Sequence, residues 1–389
     1  MHRTVTCCDR TRGGGYDGWS LQQRSLGENG LTCRRFGSFI TVGFRLTGVE
    51  RGMVKRRAGT AKPGNAGALA QRCAVIPGHM RARGSLAEAR GELQAVASLA
   101  GGGILTRRTG RGDVLANLWL VRAGHEYAAA AAAAVEEERR EHLEFAKIVL
   151  LPLCRRIVQH FVSEDGMDGV RMDDGGMLGG IGRRGRAAVV GGMRLNALWY
   201  AALEATGAAL RGKMPMGLGV KDSAGDHFER LAGRFRRSFV KIFWCEEHER
   251  ICPPEMREHA GHGGLPDPEQ VLLAVLPASP LPRTKQKGVL LQIGAASSDV
   301  TGVKMHHPTY GMVESILHRA WLAQGYAALA EAEADRRQAA AFGQPLAALR
   351  QTALSTGVFA YYKDGAPVGR NPDPLATAEV LGALARLGG

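Results

Sequence analysis

The sequence predicts an all-α protein built as an array of helical hairpins, and three observations favour this class. Apolar residues recur with helical spacing over most of the chain after residue 73. Polar or Gly/Pro-rich segments separate successive helical stretches, so that neighbours in sequence should pack as antiparallel pairs. No stretch shows the alternation of buried strands and helices that is typical of a parallel sheet.

The N-terminal third differs from the rest of the chain in its charge. The protein has 51 Lys and Arg against 37 Asp and Glu, a net charge of +14. Residues 1–113 contain 19 of the basic and 7 of the acidic residues, so they hold +12 of that charge. Because residues 1–72 are also rich in Gly and Arg and poor in aromatics, we predict a disordered basic extension. Binding of nucleic acid through phosphate charge is the alternative use of this arm.

The cysteines and the apolar runs indicate the compartment in which the protein resides. The 7 cysteines are scattered at irregular spacing, which is typical of reduced thiols in a cytoplasmic protein. No apolar run approaches the ~18 residues that a membrane-spanning helix needs, so no membrane partner is expected. Cys245, His248 and Cys252 lack a standard zinc spacing, so we expect no metal ion. We expect no other cofactor either.

The first helices are predicted from a turn and a capping box. Ile76-Pro77-Gly78 predicts a turn. Ser85 and Glu88 form a capping box that begins the next helix. Residues 113–135 and 136–161 predict two further helices, and the Gly-rich segment 162–192 predicts a loop.

Residues 193–244 predict the clearest hairpin of the chain. Its first helix has apolar residues at i, i+3, i+4, i+7 and i+8, namely Leu195, Leu198, Trp199, Ala202 and Leu203. A Gly/Pro/Met turn follows, and Asp222 is the predicted N-cap of the second helix. The inward face of that helix is Phe228, Leu231, Phe235, Phe239, Ile242 and Phe243.

The remaining helices are predicted at residues 267–277, at 281–293 and within 303–335. The last helix begins at Asp373-Pro374, a favourable N-cap and first-turn pair.

Several motifs of the helical region resemble one known family. Asn196-Ala197-Leu198-Trp199-Tyr200, followed by Ser238-Phe239 and Phe243-Trp244, resembles the glucosidase domain of bacterial and archaeal glycogen debranching enzymes. Weaker matches extend the resemblance in patches over roughly residues 73–387. The resemblance implies an (α/α)6 toroid, here incomplete, over residues 73–389, and hydrolysis of α-1,6-glucosidic branches in a glycogen-like α-glucan.

The resemblance also implies two catalytic carboxyl groups, an acid and a base, that face each other across the scissile bond. Asp173 is the candidate acid in one alignment. A second alignment matches residues 169–180 to an upstream family loop and leaves the acid position empty, and it fits more residues. At the base position Tyr361 stands where the family has Glu, and Asp364 is the second catalytic candidate.

Four residues are predicted to bind substrate. Asn196, Trp199 and His306 lie in motifs that match the family, and Trp119 lies in a segment that resembles another of its helices. The tryptophans could stack on sugar rings, or they could be core residues at helical spacing. Two charges depart from the family pattern, because Arg194 replaces a Glu and Asp267 replaces an Arg.

Three functions therefore follow from the sequence. The first is a glycogen-debranching-type α-1,6-glucosidase homologue that acts on branched α-glucan. The second is a glucan-binding or interaction module without catalytic activity. The third is nucleic-acid binding through the basic N-terminal arm, and it ranks last because aromatic residues do not alternate with the charges there.

Overall fold

A computed structural model of the protein describes two separate units, Met1–Thr60 and Ala61–Gly389. In the first unit it describes four short strands, which pair as two antiparallel hairpins: Thr4–Val5 (β1) with Arg24–Ser25 (β2), and Thr32–Phe36 (β3) with Phe39–Gly43 (β4). In the second unit it describes residues 66–106, 113–163, 166–181, 187–190, 192–213, 222–247, 249–252, 267–295, 302–307, 309–330, 333–369 and 371–388. His248 and most of the predicted basic extension lie outside the described residues.

The second unit is mostly helical. Its α-helices are Ala66–Arg83 (α1), Leu86–Ala97 (α2), Val114–Ala133 (α3), Glu136–Phe145 (α4), Leu151–Val162 (α5), Met193–Leu210 (α6), Ser223–Phe243 (α7), Leu272–Val275 (α8), Arg283–Ala295 (α9), Ile316–Leu329 (α10), Glu333–Ala348 (α11), Arg350–Ser355 (α12) and Pro374–Arg386 (α13). A π-helical segment, Ala146–Leu150, joins α4 to α5, and a 3-10 segment, Pro268–Val271, leads into α8. None of the described helices is long and apolar enough to cross a membrane.

The helices pack as a closed inner ring with a partial outer layer. Around the ring, α1 packs on α3, α3 on α6, α6 on the 3-10 segment and α8, α8 on α10, α10 on α13, and α13 on α1. On the outside, α2 packs on α1 and α3, α5 on α3 and α6, α7 on α6, α9 on α8 and α10, and α11 on α10. This arrangement is compatible with the predicted (α/α)6 toroid.

The all-α prediction is inexact, because the segments before the ring helices form small antiparallel sheets. Residues 162–192 were predicted as a loop, but they contain a three-stranded sheet of Val170–Met172 (β5), Leu178–Ile181 (β6) and Ala187–Val190 (β7). Trp244–Cys245 (β8) pairs with Arg250–Ile251 (β9). A four-stranded sheet follows, in the order Val303–His307 (β10), Gly311–Ser315 (β11), Tyr361–Lys363 (β12) and Ala366–Val368 (β13). Glycine-rich composition signalled irregular backbone, but it does not show the strand pairing that tertiary neighbours provide.

The hairpin predicted at residues 193–244 is confirmed as α6 and α7, which pack against each other. Asp222 caps α7 by accepting a hydrogen bond from the backbone N–H of Ala224 at 2.9 Å. Asp373 caps α13 in the same way, with the N–H of Ala376 at 2.8 Å. The predicted inward residues of α7 are buried except Ile242, which is half-buried.

The turn predicted at Ile76-Pro77-Gly78 is wrong, because this motif lies inside α1. The predicted boundary between residues 72 and 73 also falls within this helix. A Cβ atom on Gly78 would lie 2.5 Å from the carbonyl oxygen of Ala378 in α13. The glycine therefore permits a close contact between two ring helices, and its role is packing rather than a turn.

Candidate functional site

The two predicted catalytic carboxyl groups lie in two different turns. Asp173 follows β5, and its Oδ1 accepts a hydrogen bond from the backbone N–H of Met177 at 2.8 Å. Asp364 is exposed at the tip of the β12–β13 hairpin, where it has a positive φ of 51°. No described contact joins the two residues, and their catalytic role stays a prediction.

Three of the four predicted substrate-binding residues are packed in the core. Trp199 is fully buried, and its indole N–H donates to the carbonyl of Gly176 at 2.9 Å. Trp119 is also buried, and the guanidinium of Arg122 lies 5.0 Å from its ring centroid. Asn196 is fully buried, and its amide accepts from Leu178 N at 2.9 Å and donates to Leu178 O at 3.2 Å. Each of these side chains thus has a structural partner within the protein.

We expect Asn196→Ala to lower the free energy of unfolding by about 2 kcal/mol, because both backbone groups of the buried Leu178 lose their partner. Urea unfolding of the two proteins measures this difference. Asn371→Ala, at an exposed position, is the matched control and should change the stability by less than about 0.5 kcal/mol. Equal effects of the two substitutions would contradict the structural role of Asn196.

His306, the fourth predicted residue, is exposed, and its neighbour His307 faces the protein instead. Side chains alternate along β10, so that Met305 and His307 are half-buried while Lys304 and His306 are exposed. The His307 ring lies 4.7 Å from the ring of Tyr310 and 4.7 Å from that of Tyr361. In β10 it is thus His307, and not His306, that contacts these two tyrosines, and the substrate-binding role of His306 stays a prediction.

A cluster of charged and aromatic side chains lies at the N-terminal ends of α6 and α10 and at the 3-10 segment. We call Arg194, Glu269, His318, Trp321 and Tyr361 the Glu269 cluster. Arg194 is in the first turn of α6 and donates through both Nε and Nη2 to the carboxylate of Glu269, with Nε at 2.5 Å. His318, in the first turn of α10, has its Nε2 3.7 Å from Glu269 Oε1 and its Nδ1 2.7 Å from Ser315 Oγ.

Trp321 and Tyr361 complete this cluster with aromatic surface. The guanidinium of Arg194 lies 5.7 Å from the Trp321 ring centroid, and the His318 ring meets that indole edge-on at 5.2 Å. Tyr361 pairs with Ser315 across β11 and β12, and the charges of Arg194 and Glu269 act on its pKa. Trp321 Nε1 and His318 Nε2 are buried without a hydrogen-bond partner among the described residues, which is rare for buried polar atoms.

Glu269 of the 3-10 segment and Asp267, the N-cap residue of that segment, have pKa values shifted in opposite directions. Burial raises the pKa of Glu269, but His318 and Arg194 outweigh it and lower the value to about 2. Asp267 is an exposed residue whose carboxyl group is packed against protein atoms. This desolvation, with the charge of Glu269, raises the pKa of Asp267. Opposed shifts in neighbouring carboxyl groups are typical of acid and base pairs in active sites.

Tyr361 remains a neutral phenol at neutral pH. Burial raises its pKa above the ordinary value of 10.0, although Arg194 acts in the opposite direction. A phenol of this pKa donates a hydrogen bond but is a poor general base at pH 7. Tyr361 is therefore a hydrogen-bond donor rather than a proton acceptor at neutral pH.

A second polar cluster connects four consecutive ring helices, α3, α1, α13 and α10. Arg81 pairs with Glu126 and, at 3.0 Å, with Glu379. Arg122 donates to Glu126 at 2.7 Å and lies 3.4 Å from Glu379. Burial opposes the charge of Arg122, but Glu126 and Glu379 outweigh it and raise the pKa of its guanidinium. We call this group, with Gln324, the Glu379 network.

Among all described residues, no group of three or more His, Cys, Asp and Glu side chains is placed to hold a metal ion. Cys73, Cys154, Cys245 and Cys252 are free thiols. Burial raises the pKa of both Cys73 and Cys154 to about 12, so that these two thiols are unreactive at neutral pH.

Two departures from the resembled family's motifs, at residues 194 and 267, lie in or beside the Glu269 cluster. Relative to the resembled family, residue 194 changes from Glu to Arg, and residue 267 changes from Arg to Asp. In the structure, Arg194 pairs with Glu269, two residues beyond Asp267. The acidic partner of Arg194 is Glu269, so the departure at residue 267 pointed to the region of the pair but not to its acidic member.

No family model matches the chain, and no curated protein matches it. Solved structures with similarity include the GH78 family rhamnosidase of Bacillus sp. GL1, at 14% identity and a TM-score of 0.43, over 84% of this chain and 36% of that one. A sugar epimerase from a ruminal bacterium has 9% identity and a TM-score of 0.46, over 85% and 90% of the two chains.

A rhamnosidase from Klebsiella oxytoca with rhamnose bound has 9% identity and a TM-score of 0.44, over 85% of this chain and 66% of that one. This chain thus spans about a third of the Bacillus enzyme and two thirds of the Klebsiella enzyme. TM-scores below 0.5 do not establish a shared fold, so the class of this protein is a mostly helical ring with small sheets.

Proposed function

We propose that the protein is an α-glucan-binding homologue of the glycogen-debranching glucosidases, which holds a glucan at the Glu269 cluster without hydrolysing it. One observation carries this proposal. Tyr361, at the position of the resembled family's base, is a neutral, half-buried phenol. It lies close enough to Arg194 and Glu269 for their charges to act on its pKa.

The carboxyl groups support binding rather than hydrolysis. Inverting hydrolysis needs two carboxyl groups about 6.5–9.5 Å apart across the scissile bond, one to protonate the leaving oxygen and one to activate water. Asp173 accepts a hydrogen bond within its own turn, and Asp364 is exposed at a hairpin tip. Glu269 is held by both donors of Arg194, and with a pKa of about 2 it is too weak a base for proton abstraction at pH 7.

The same groups suit the recognition of a sugar. The half-buried rings of His307, Tyr310 and Tyr361 provide apolar faces of the kind that stack on pyranose rings. Arg194 and Glu269 are each part-exposed, at 31% and 24%, and so offer donors and acceptors to sugar hydroxyls. The indole N–H of Trp321 is buried without a hydrogen-bond partner among the described residues and would be satisfied by an ordered water.

A second candidate function, α-1,6-glucosidase activity on branched α-glucan, is favoured by a different observation. Desolvation and the charge of Glu269 raise the pKa of Asp267, which is the direction expected of a general acid. Both groups belong to one 3-10 segment and its cap, however, so they lie on one side of any bound sugar. We place both functions in the cytoplasm, a proposal that the free thiols of the described residues support.

Glycogen affinity electrophoresis of the full chain tests the binding proposal. We expect Tyr361→Ala to weaken retention at least about tenfold, because it removes the ring and the phenol together. Tyr361→Phe keeps the ring and should retain most of the affinity. Glu136→Gln, at an exposed position of α4, is the control and should bind as the unaltered protein does.

Glucose release from a branched limit dextrin separates the two functions. We expect no release above background from the unaltered protein. Release that is abolished by Asp267→Asn, or by Asp173→Asn or Asp364→Asn, would establish hydrolysis and reject the binding-only proposal. Absence of both retention and release would reject the two functions together.

A further inference from the structure

The outer face of α7 has a continuous row of exposed cations. Arg230, Arg234, Arg237 and Lys241 follow one another at i, i+4, i+7 and i+11, which places them on one face of the helix. All four are exposed, and we call them the α7 basic stripe. No acidic residue occurs between residues 230 and 243, whereas solvated helix faces normally combine both signs of charge.

The stripe is held on a rigid support. The opposite face of α7 is buried against α6 through Phe228, Leu231, Phe235, Phe239 and Phe243. Arg236 is not part of the stripe, because its guanidinium turns to the hydroxyl of Tyr200 at 2.6 Å. The helix therefore presents its four cations at fixed spacing, and the ordering of its backbone does not oppose binding.

The surroundings leave most of this charge uncompensated. Arg230, Arg234 and Arg237 form no ion pair with any described residue, and Arg234 makes only a long 3.4 Å hydrogen bond to the carbonyl of Asp174. Within α7, Glu229 is already paired with Arg211, and Asp226, one turn before Arg230, is the one acid that borders the stripe on its own face. The stripe therefore attracts an anionic partner with several charges.

We infer that the α7 basic stripe binds the phosphate backbone of a nucleic-acid duplex. Arginine dominates the stripe, and its planar guanidinium suits bidentate contacts to phosphate. At 1.5 Å per residue the stripe spans about 16 Å, which is long enough to face several phosphates of a duplex. The contact would be independent of sequence, because only phosphates are reached.

Other anionic partners fit the same face less well. Every large apolar residue that is exposed on the described surface lies outside α7, so the face lacks the apolar anchors of a membrane-bound helix or a protein hot spot. The phenylalanines of α7 are all buried, so no aromatic side chain is available to stack on the bases of a single strand. This inference does not depend on the proposed glucan binding.

Fluorescence anisotropy with a 20-bp DNA duplex, and with an RNA duplex of the same sequence, tests the inference on the full chain. Replacement of all four stripe residues by Gln should weaken binding at least tenfold at 0.1 M salt. The slope of log K against log[salt] should fall by about 3 to 4, as expected for four lost phosphate contacts.

A matched control removes the same charge elsewhere, at the exposed residues Arg140, Lys304, Arg350 and Lys363. Because the N-terminal arm is also basic, both variants lose the same net charge, and only a larger loss in the stripe variant supports the inference. Equal losses, or no loss, would overturn it. A loss of binding to phosphatidylserine vesicles or polyglutamate, with duplex binding unchanged, would overturn it as well. The double variant R230Q/R237Q, compared with R140Q/R350Q, decides the question if the fourfold variant unfolds.

Discussion

Replacement of Glu379 by Gln is expected to lower the free energy of unfolding by about 3 kcal/mol, the largest effect that we predict for a single charge. Glu379 is fully buried, and its carboxylate faces Arg81 at 3.0 Å and Arg122 at 3.4 Å. Glutamine keeps the size of the side chain but leaves Glu126 as the one carboxylate of the Glu379 network. Arg81 and Arg122 then share a single carboxylate, and this excess of buried positive charge is costly because water cannot replace the missing partner.

Urea unfolding measures this effect, and the exposed pair Arg72–Glu92 supplies its control. These two side chains are 34% and 56% exposed, with a 2.9 Å contact. Glu92→Gln should therefore change the stability by less than about 1 kcal/mol. If Glu92→Gln and Glu379→Gln destabilise the protein equally, the Glu379 network does not hold the ring together.

Replacement of Glu269 by Gln is expected to remove stability in a pH-dependent manner. The pKa of Glu269 is about 2 in the folded protein against a usual value of 4.5. A depressed folded pKa gives stability that is present above pH 4.5 and is lost as the pH falls through 2. The shift corresponds to about 3 kcal/mol at neutral pH as an upper value, because the pair is partly exposed to solvent.

Unfolding measured between pH 2 and pH 7 tests this second prediction. The unaltered protein should be more stable than Glu269→Gln at pH 7, and the difference should shrink steadily below pH 4.5. Glu136→Gln removes a carboxylate that is 80% exposed and should show no such pH dependence. A constant difference across this range would mean that the ion pair with Arg194 does not lower the pKa of Glu269.

The outcome of this second experiment also bears on function. A carboxylate that stays ionised and paired to pH 2 keeps the Arg194 guanidinium in place and is unsuited to proton transfer at neutral pH. Loss of the pH dependence together with glucose release would favour the glucosidase instead.

Local patterns predicted those elements whose structure depends on nearby residues. The apolar spacing from Leu195 to Leu203 predicted α6, and Asp222 and Asp373 were correctly predicted as caps. The prediction of a turn at Ile76-Pro77-Gly78 is wrong, because glycine is used both in turns and at close contacts between helices. Only the approach of Ala378, 300 residues later in the chain, decides that Gly78 is a packing position.

The role of the tryptophans is likewise decided by residues that are distant in sequence. Helical spacing allowed Trp119 and Trp199 to be either sugar platforms or core residues, and only their packing shows that both are buried. His306 and His307 are adjacent in sequence, and only the pairing of β10 with β11 decides which ring faces Tyr361. A strand shifted by one residue would exchange the two.

By itself, the sequence determined the helical hairpins, their caps and the charge of the chain, because apolar spacing and capping act over a few residues. The tertiary structure decided where the functional groups meet. Arg194, Glu269, His318 and Tyr361 come from four elements that are adjacent only when the ring closes. The pKa of Glu269 depends on that closure, since the charges that lower it are distant in sequence and act only over a few ångströms.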